Sequence, residues 1–417
     1  MNRFREISAS EIEENILNLK QLTFEVTDAC NLQCKYCGYG DLYYGYDKRE
    51  SKCLPVSKAK LILDYLSEIW KRGNTNLERP TTYISFYGGE PLLNMQFIKE
   101  IVAYVENMNL NRDMTFSMTT NAMLLDRYME YFVDKRFHLL ISLDGDKEAQ
   151  SYRVTKGGEN SFDTVIRNVE ELQRLYPDYF DKCVNFNSVL HNRNSVEGTY
   201  QFIKNKFGKE PTISELNNSE IREDRREEYD KTYRNKRESI HASENYRELS
   251  DELFMGEPET YDLLIFLHQY SGNVFRDYNE LFVDKKKLRC TPTGTCVPFW
   301  KKMFVTVNGK IIQCERIDHS FSLGKITDNS VFLDTKYIAD RFNSYLNKMK
   351  RQCENCCRQT SCTQCLYYIP DIDKPDAKCH GFMNDEEFKQ YTSYCLSYLK
   401  DNPYLYKKLM TEVTIEQ

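Results

Sequence analysis

The chain has 417 residues, a formal net charge of −6 and 41% hydrophobic residues; that length can bury a sizeable core and suggests two domains. The acidic balance offers no basic face for a phosphate backbone, so nucleic acid is not an expected partner. No stretch approaches the eighteen or so apolar residues of a membrane span, and residues 1–10 lack the apolar core of a signal peptide, so no membrane association and a cytoplasmic location are expected.

In chain order, an N-terminal extension over 1–20 leads into the first strand-like run, Leu22-Thr-Phe-Glu-Val-Thr27, read as a strand over 21–27. Directly after it stands Cys30-Asn-Leu-Gln-Cys34-Lys-Tyr-Cys37. Three soft sulfur donors within so short a segment can hold three irons of a [4Fe-4S] cube, leaving the fourth open to a non-protein ligand. Structural zinc is the plain alternative, but it usually favours paired CxxC spacing with a fourth local ligand. No His or Cys follows here until Cys53. Fifteen cysteines in a cytosolic chain are better read as metal ligands than as disulfides.

Further strands are expected at 81–87, 113–119, 137–143, 183–190 and 211–215, with helices between them at 57–70, 94–107, 126–134, 162–175 and 196–206. Six strand–helix units in series predict a parallel sheet that right-handed crossovers could curl into a partial barrel; periodicity alone leaves a doubly wound open sheet as the other arrangement. The second strand ends in Phe86-Tyr-Gly-Gly-Glu-Pro91, where paired glycines allow close backbone approach to a ligand and proline stops the strand, or simply make a turn. The third closes on Ser117-Met-Thr-Thr-Asn121, short polar side chains able to face a ribose or to cap the next helix. The fourth reads Leu139-Leu-Ile-Ser-Leu-Asp-Gly145, followed by Ser151-Tyr-Arg153; in bland terms Ser142 is a strand hydroxyl and Arg153 a surface ion pair.

From 216 to about 250 both charge signs mix with little apolar periodicity, which predicts a solvated helical insertion. A helix over 263–281 would then close the barrel. Ten cysteines follow residue 289: Cys290, Cys296 and Cys314, then Cys353, Cys356, Cys357, Cys362, Cys365, Cys379 and Cys395. Asn308-Gly309 between Cys296 and Cys314 is a hairpin turn. The CxxC pairs would also suit zinc, His380 and Cys395 are spare donors, and Cys53 and Cys183 read as free core thiols.

The CxxxCxΦC string, with Tyr36 as its aromatic residue, resembles the signature of the radical S-adenosylmethionine (radical SAM) superfamily. That resemblance implies an α/β fold, a (β/α)6 partial TIM barrel with chemistry at the C-terminal ends of its strands. It also implies SAM chelated by the open iron and cleaved to a 5'-deoxyadenosyl radical. Gly88, Gly89 and Glu90 match the GGE(P) motif that holds the methionine amino group. Ser142 and Arg153 match residues that contact SAM, although Asp146 replaces the usual proline after Asp-Gly. Tyr36, Ser117 and Asn121 complete the cofactor-binding set.

The C-terminal spacing resembles the SPASM domain, which holds two auxiliary [4Fe-4S] clusters. By that match Cys290, Cys296, Cys314 and Cys365 take the first and Cys353, Cys356, Cys362 and Cys379 the second, with Cys357 left as an alternative to Cys365. The implied organisation is the barrel core over 21–215, the charged insertion and barrel-closing helix over 216–285, a small cysteine-rich SPASM domain over 286–385 and a helical tail over 386–417. Three clusters and SAM are the expected cofactors.

SPASM members abstract hydrogen from side chains in polypeptides. The expectation is therefore a peptide maturase acting on a ribosomal precursor peptide, forming a thioether, carbon–carbon or carbon–oxygen crosslink or another oxidation. The alternative is a sulfatase-maturase-like enzyme generating formylglycine; an iron–sulfur electron-transfer protein is the alternative of another class. Glu315 follows the third SPASM cysteine, where sulfatase maturases place an aspartate base; its extra methylene shifts the carboxylate by about one bond length. An external low-potential electron donor of flavodoxin or ferredoxin type is expected. Twenty residues before the first strand cannot hold a leader-binding domain of about eighty residues, so leader recognition is expected to use a separate protein or another surface.

Overall fold

A computed structural model describes residues 4–72, 80–272, 274–275, 282, 291–292 and 297–413. The chain forms two compact units, one of Ser10–Glu244 with Pro298–Ile338, the other of Met1–Ala9, Asn245–Val297 and Ala339–Gln417.

The larger unit is an α/β layer structure around a ten-stranded sheet. Its strands are β1 (Gln21–Thr27), β3 (Thr81–Gly88), β4 (Asp113–Thr120), β5 (His138–Ser142), β7 (Val184–Leu190), β8 (Thr212–Glu215), β9 (Lys302–Val305), β10 (Lys310–Ile312), β11 (Gly324–Ile326) and β12 (Val331–Phe332), and a separate pair is made by β2 (Leu32–Cys34) and β6 (Arg153–Thr155). Sheet order is β12-β11-β10-β9-β1-β3-β4-β5-β7-β8. Strands β1, β3, β4, β5, β7 and β8 run parallel, as the six strand–helix units predict. No ladder joins β8 to β12 among the described residues, so the sheet stays open.

Alternation on β1 explains its two faces. Leu22, Phe24 and Val26 are fully buried, and Phe24 meets Phe97 of the helix Met95–Glu106 edge-on at 6.1 Å. Thr23 and Glu25 point the other way. The helix Val56–Arg72 buries Ala59, Ile62, Leu63, Leu66 and Trp70, the three-and-four spacing of one face, and ends on Lys71 and Arg72, which suit the helix C-terminus. Because the six strands are parallel, their C-terminal ends and the loops leaving them share one edge, the place where such folds keep their chemistry.

Residues 298–338, expected with the SPASM region, belong to this larger unit. Here β9 pairs parallel with β1, Gln21 to Lys302 through Phe24 to Val305, and the Asn308-Gly309 turn reverses the chain into β10. The charged stretch after 216 is a series of short helices, Arg226–Thr232, Lys236–His241 and Tyr246–Leu253, and it buries Tyr229 and Ile240 despite its polarity.

In the smaller unit, the helix Pro258–Ile265 runs into a π-helical turn, Phe266–Tyr270; the helix expected over 263–281 stops there, since residues 271–272 and 274–275 are not helical, and 273 and 276–281 lie outside the described residues. Asn384 and Glu387 form a capping box that starts the helix Asp385–Asp401. That helix packs Cys395 with Leu263, Phe266, Leu267, Leu405 and Leu409 in an apolar cluster. Among the described residues no helix is long and apolar enough to cross a membrane.

Candidate active site

The three N-terminal cysteines sit in a loop tied down at both ends. Beyond β1, the buried Asp28 carboxylate accepts the backbone N–H groups of Glu50 at 3.0 Å and Lys52 at 2.7 Å. Cys34 lies in β2, opposite Arg153 of β6, and the Cys37 N–H donates to the Cys34 carbonyl at 3.1 Å. Burial pushes the Cys30 thiol up and that of Cys34 to about 12; Cys37 adds to both shifts and Cys30 to that of Cys34. These thiols hold their protons until a metal displaces them.

The end of β3 meets this loop more closely than any side chain allows. A Cβ on Gly88, which has φ +128°, or on Gly89 would collide with the carbonyl oxygens of Thr27 and Ala29. The Gly89 and Glu90 N–H groups instead donate to those two carbonyls at 2.8 and 2.9 Å. Glu90, fully buried, accepts from Leu92 N at 3.1 Å, Thr120 Oγ1 at 2.7 Å and Asn121 N at 2.8 Å. Burial raises its carboxyl to about 7 in spite of those three donors. Asn121 Nδ2 donates to Asn31 Oδ1 at 2.8 Å and comes within 3.9 Å of Cys30 Sγ. Glu90 and Asn121 thus join the ends of β3 and β4 to the cysteine loop.

Ser117 lies deeper along β4, its Oγ 2.6 Å from Ser85 Oγ, which also accepts from Gln21 Nε2 at 2.7 Å. Ser142 is half-buried at the end of β5, in register with Asn187. Arg153 is not a surface residue. Its Nε and Nη2 each reach one oxygen of the fully buried Asp144 at 3.0 Å, a bidentate pair. Asp144 also accepts from the Tyr36 hydroxyl and from Val189 N at 2.9 Å, with His191 Nε2 at 3.6 Å. Burial alone would raise the Asp144 carboxyl, but the Arg153 charge and the His191 contact outweigh it and hold it well below the usual carboxylate range. Tyr36 is pinned by its hydroxyl, by Arg153 5.4 Å from its ring and by His191 stacked at 5.4 Å. Asp144 stands inside the quoted Ser142-Leu-Asp-Gly string, yet nothing local to that string singles it out.

On the β1–β9 side stands a second group of polar residues. Glu25 is 2% exposed, accepts from Val307 N at 2.9 Å and has its carboxyl raised to about 7 by burial. Tyr39 packs 5.0 Å from Tyr46 and 4.1 Å from the Arg49 guanidinium. Tyr46 and Tyr87, their hydroxyls raised chiefly by burial, each feel both Cys37 and Glu315. Glu315 is clamped by Lys302 Nζ at 3.0 and 2.9 Å, and it lies 3.6 Å from Cys314 Sγ. Burial would raise the Glu315 carboxyl, but the Lys302 ammonium outweighs it and keeps it low. Lys302, Glu25, Tyr39 and Arg49 carried no sequence motif.

Residues 24–203 match the family model described as the Radical SAM superfamily. The chain carries a radical SAM domain. It is 31% identical over 192 residues to a cysteine-type anaerobic sulfatase-maturating enzyme of Clostridium novyi, covering 45% of this chain and 48% of that enzyme. It is 26% identical over 223 residues to the radical SAM cyclopropyl synthase TigE of Paramaledivibacter caminithermalis, covering 51% of this chain and 43% of that one. The chain therefore spans about half the length of these curated relatives. Among solved structures, native anSMEcpe with bound AdoMet superimposes with a TM-score of 0.61 at 17% identity over 94% of this chain and 100% of that chain, a likeness of fold.

A radical SAM domain implies a [4Fe-4S] cluster and SAM. The donor set fits: three thiols on one loop suit a cube that takes one thiolate per iron. Gly88, Gly89 and Glu90 stand at the C-terminal end of β3, Asn121 at that of β4 and Ser142 at that of β5, while Tyr36 lies in the cysteine loop and Arg153 opens β6, which pairs with that loop.

In the smaller unit, the thiols of Cys356, Cys362 and Cys379 act on one another electrostatically, and Cys353 leads the turn to Cys356, whose N–H donates to its carbonyl at 3.2 Å. Cys357 turns to Asp385 at 3.1 Å. Cys314 belongs to the larger unit and Cys365 to the smaller; Cys290 and Cys296 lie outside the described residues.

Proposed function

We propose that the protein is a radical SAM maturase that abstracts hydrogen from a ribosomally made peptide and leaves it crosslinked or otherwise oxidised. The observation that carries this reading is the gathering, on one sheet edge, of Cys30, Cys34 and Cys37 with the Gly88-Gly89-Glu90 turn. A [4Fe-4S] cluster held by Cys30, Cys34 and Cys37 would, with SAM and one electron from an external flavodoxin or ferredoxin, supply a 5'-deoxyadenosyl radical. The residues of the chain aim it. Glu90 and Asn121 hold the cysteine loop against the strand ends, and Asp144 with Arg153 fixes the Tyr36 ring.

Two auxiliary clusters are assigned to Cys290, Cys296, Cys314 and Cys365 and to Cys353, Cys356, Cys362 and Cys379. The bond from Cys357 to Asp385 favours Cys365 for the first set. Glu315 is the proposed base, kept ionised by Lys302 and so able to receive a substrate proton. Glu315→Gln is expected to lower turnover about 10²-fold or more with iron content unchanged; turnover at the wild-type rate would remove the role. Likeness to the Clostridium novyi enzyme keeps formylglycine generation as the second reading. It would be favoured if a sulfatase-derived peptide gained an aldehyde.

The deciding experiment incubates the iron-loaded, reduced protein with SAM and the short peptide encoded beside its gene. Formation of 5'-deoxyadenosine and a peptide lighter by two hydrogens are expected. A fully loaded protein that yields no 5'-deoxyadenosine would defeat the enzyme reading and leave electron transfer.

A further inference from the structure

One guanidinium of the larger unit has an edge with nothing to hold. Nε and Nη2 of Arg49 are shielded from solvent, and neither has a hydrogen-bond partner among the described residues. They form the same edge with which Arg153 grips both oxygens of Asp144. Charged donors left unmade in the interior are costly, so this edge is suited to a group that arrives with a ligand. The Tyr39 ring, 4.1 Å from Cζ, fixes the plane of the fork, and the Tyr39 hydroxyl is likewise buried without a partner. Glu25 is the acid that feels this charge, but no hydrogen bond joins the two, and Glu25 Oε2 is engaged by Val307 N.

Position narrows the ligand. Arg49 acts electrostatically on Cys30, the first thiol of the cluster loop. It lies with Glu25 on the β1–β9 side, whereas Asp144 and Arg153 follow β5, three strands across the sheet. Tyr39 links it to Tyr46, which feels both Cys37 and Glu315. Arg49 and the proposed base thus act on the two members of one tyrosine pair. A planar fork with two parallel N–H groups selects a carboxylate.

We propose that Arg49 is a specificity residue that receives a carboxylate through its Nε–Nη2 edge, supplied by an acidic residue of the peptide substrate. This rests on the peptide-maturase reading. The methionine carboxylate of SAM is the other source of the same chemistry.

The test compares cluster-loaded wild type, Arg49→Gln and Arg49→Lys without oxygen. With SAM present, a random ten-residue peptide library carrying one fixed cysteine is selected for binding. Wild type is expected to enrich Asp or Glu at a set distance from the cysteine, and Arg49→Gln to lose that enrichment at least tenfold. Arg49→Lys, charged but without the fork, falls between them. In parallel, dissociation constants are measured for SAM and for its decarboxylated analogue, and Arg49→Gln is expected to leave both within twofold. A tenfold loss for SAM alone keeps the carboxylate role and moves its source to SAM. The inference is overturned if neither the library nor the SAM pair separates Arg49→Gln from wild type. If the wild type enriches no sequence while binding SAM, the peptide reading itself fails, and the SAM pair alone then decides for Arg49. Should Arg49→Gln load less iron, the same comparison is read on Arg49→Lys.

Discussion

At Asp144 one buried carboxylate accepts from Tyr36, Arg153 and the backbone of Val189. Asp144→Asn leaves the Arg153 guanidinium buried without a counter-ion and is expected to cost about 3–5 kcal/mol, read from urea unfolding. Asp144→Leu combined with Arg153→Met is expected to recover much of that loss; equal losses in the single and double variants would remove the ion pair from the account. The two kinds of buried acid respond oppositely to pH. Asp144, held below its unfolded value, contributes stability that is present at neutral pH and is lost as pH falls below about 4. Glu90, raised to about 7, is most favourable below its unfolded value of about 4 and loses that advantage as pH climbs through 7. Glu90→Gln is therefore expected to flatten the fall in unfolding free energy between pH 5 and pH 8; an unchanged slope would point to other groups. The sequence marked Arg153 by its place in a motif, but which partner it takes is decided by a side chain nine positions earlier, just past β5. Nothing local marked Arg49, because burial without a partner is a property of the packed chain.

Among the elements, the six parallel strands were legible to within a residue or two, since apolar runs of strand length recur between helical patterns and nothing in the tertiary structure overrides them. The tight meeting of β3 with the cysteine loop was legible only as two glycines; what they make room for, the Thr27 and Ala29 carbonyls, was not. Gly88→Ala and Gly89→Ala are expected to push that loop away and lower the iron bound there, while circular dichroism stays near wild type. Full iron loading with an unchanged EPR signal would show that the loop can yield. The π-helical turn at Phe266–Tyr270 left no trace in composition, because its cause is a local change of hydrogen bonding rather than of residue type.

For the whole chain, cysteine spacing grouped 290–379 into one C-terminal block, yet the hairpin carrying Gly309 adds to the sheet of the radical SAM domain. Spacing counts residues between ligands and says nothing about which sheet edge a hairpin joins. The three cubes of the proposed ligand sets would bring about twelve irons per chain; Cys356→Ala is then expected to lower this to about eight while 5'-deoxyadenosine is still formed. An unchanged iron content would remove that cysteine from the ligand set. The short ladder between β2 and β6 has a further consequence, for the order of events in the cell. Cys34 is held by a strand that follows it by more than a hundred residues. At about 5–20 residues per second of synthesis, the three thiols leave the ribosome roughly ten seconds before the segment that fixes them. Iron delivered earlier would meet a loose chain, so the cluster is best inserted after this half of the protein has been made, by a donor able to wait for it.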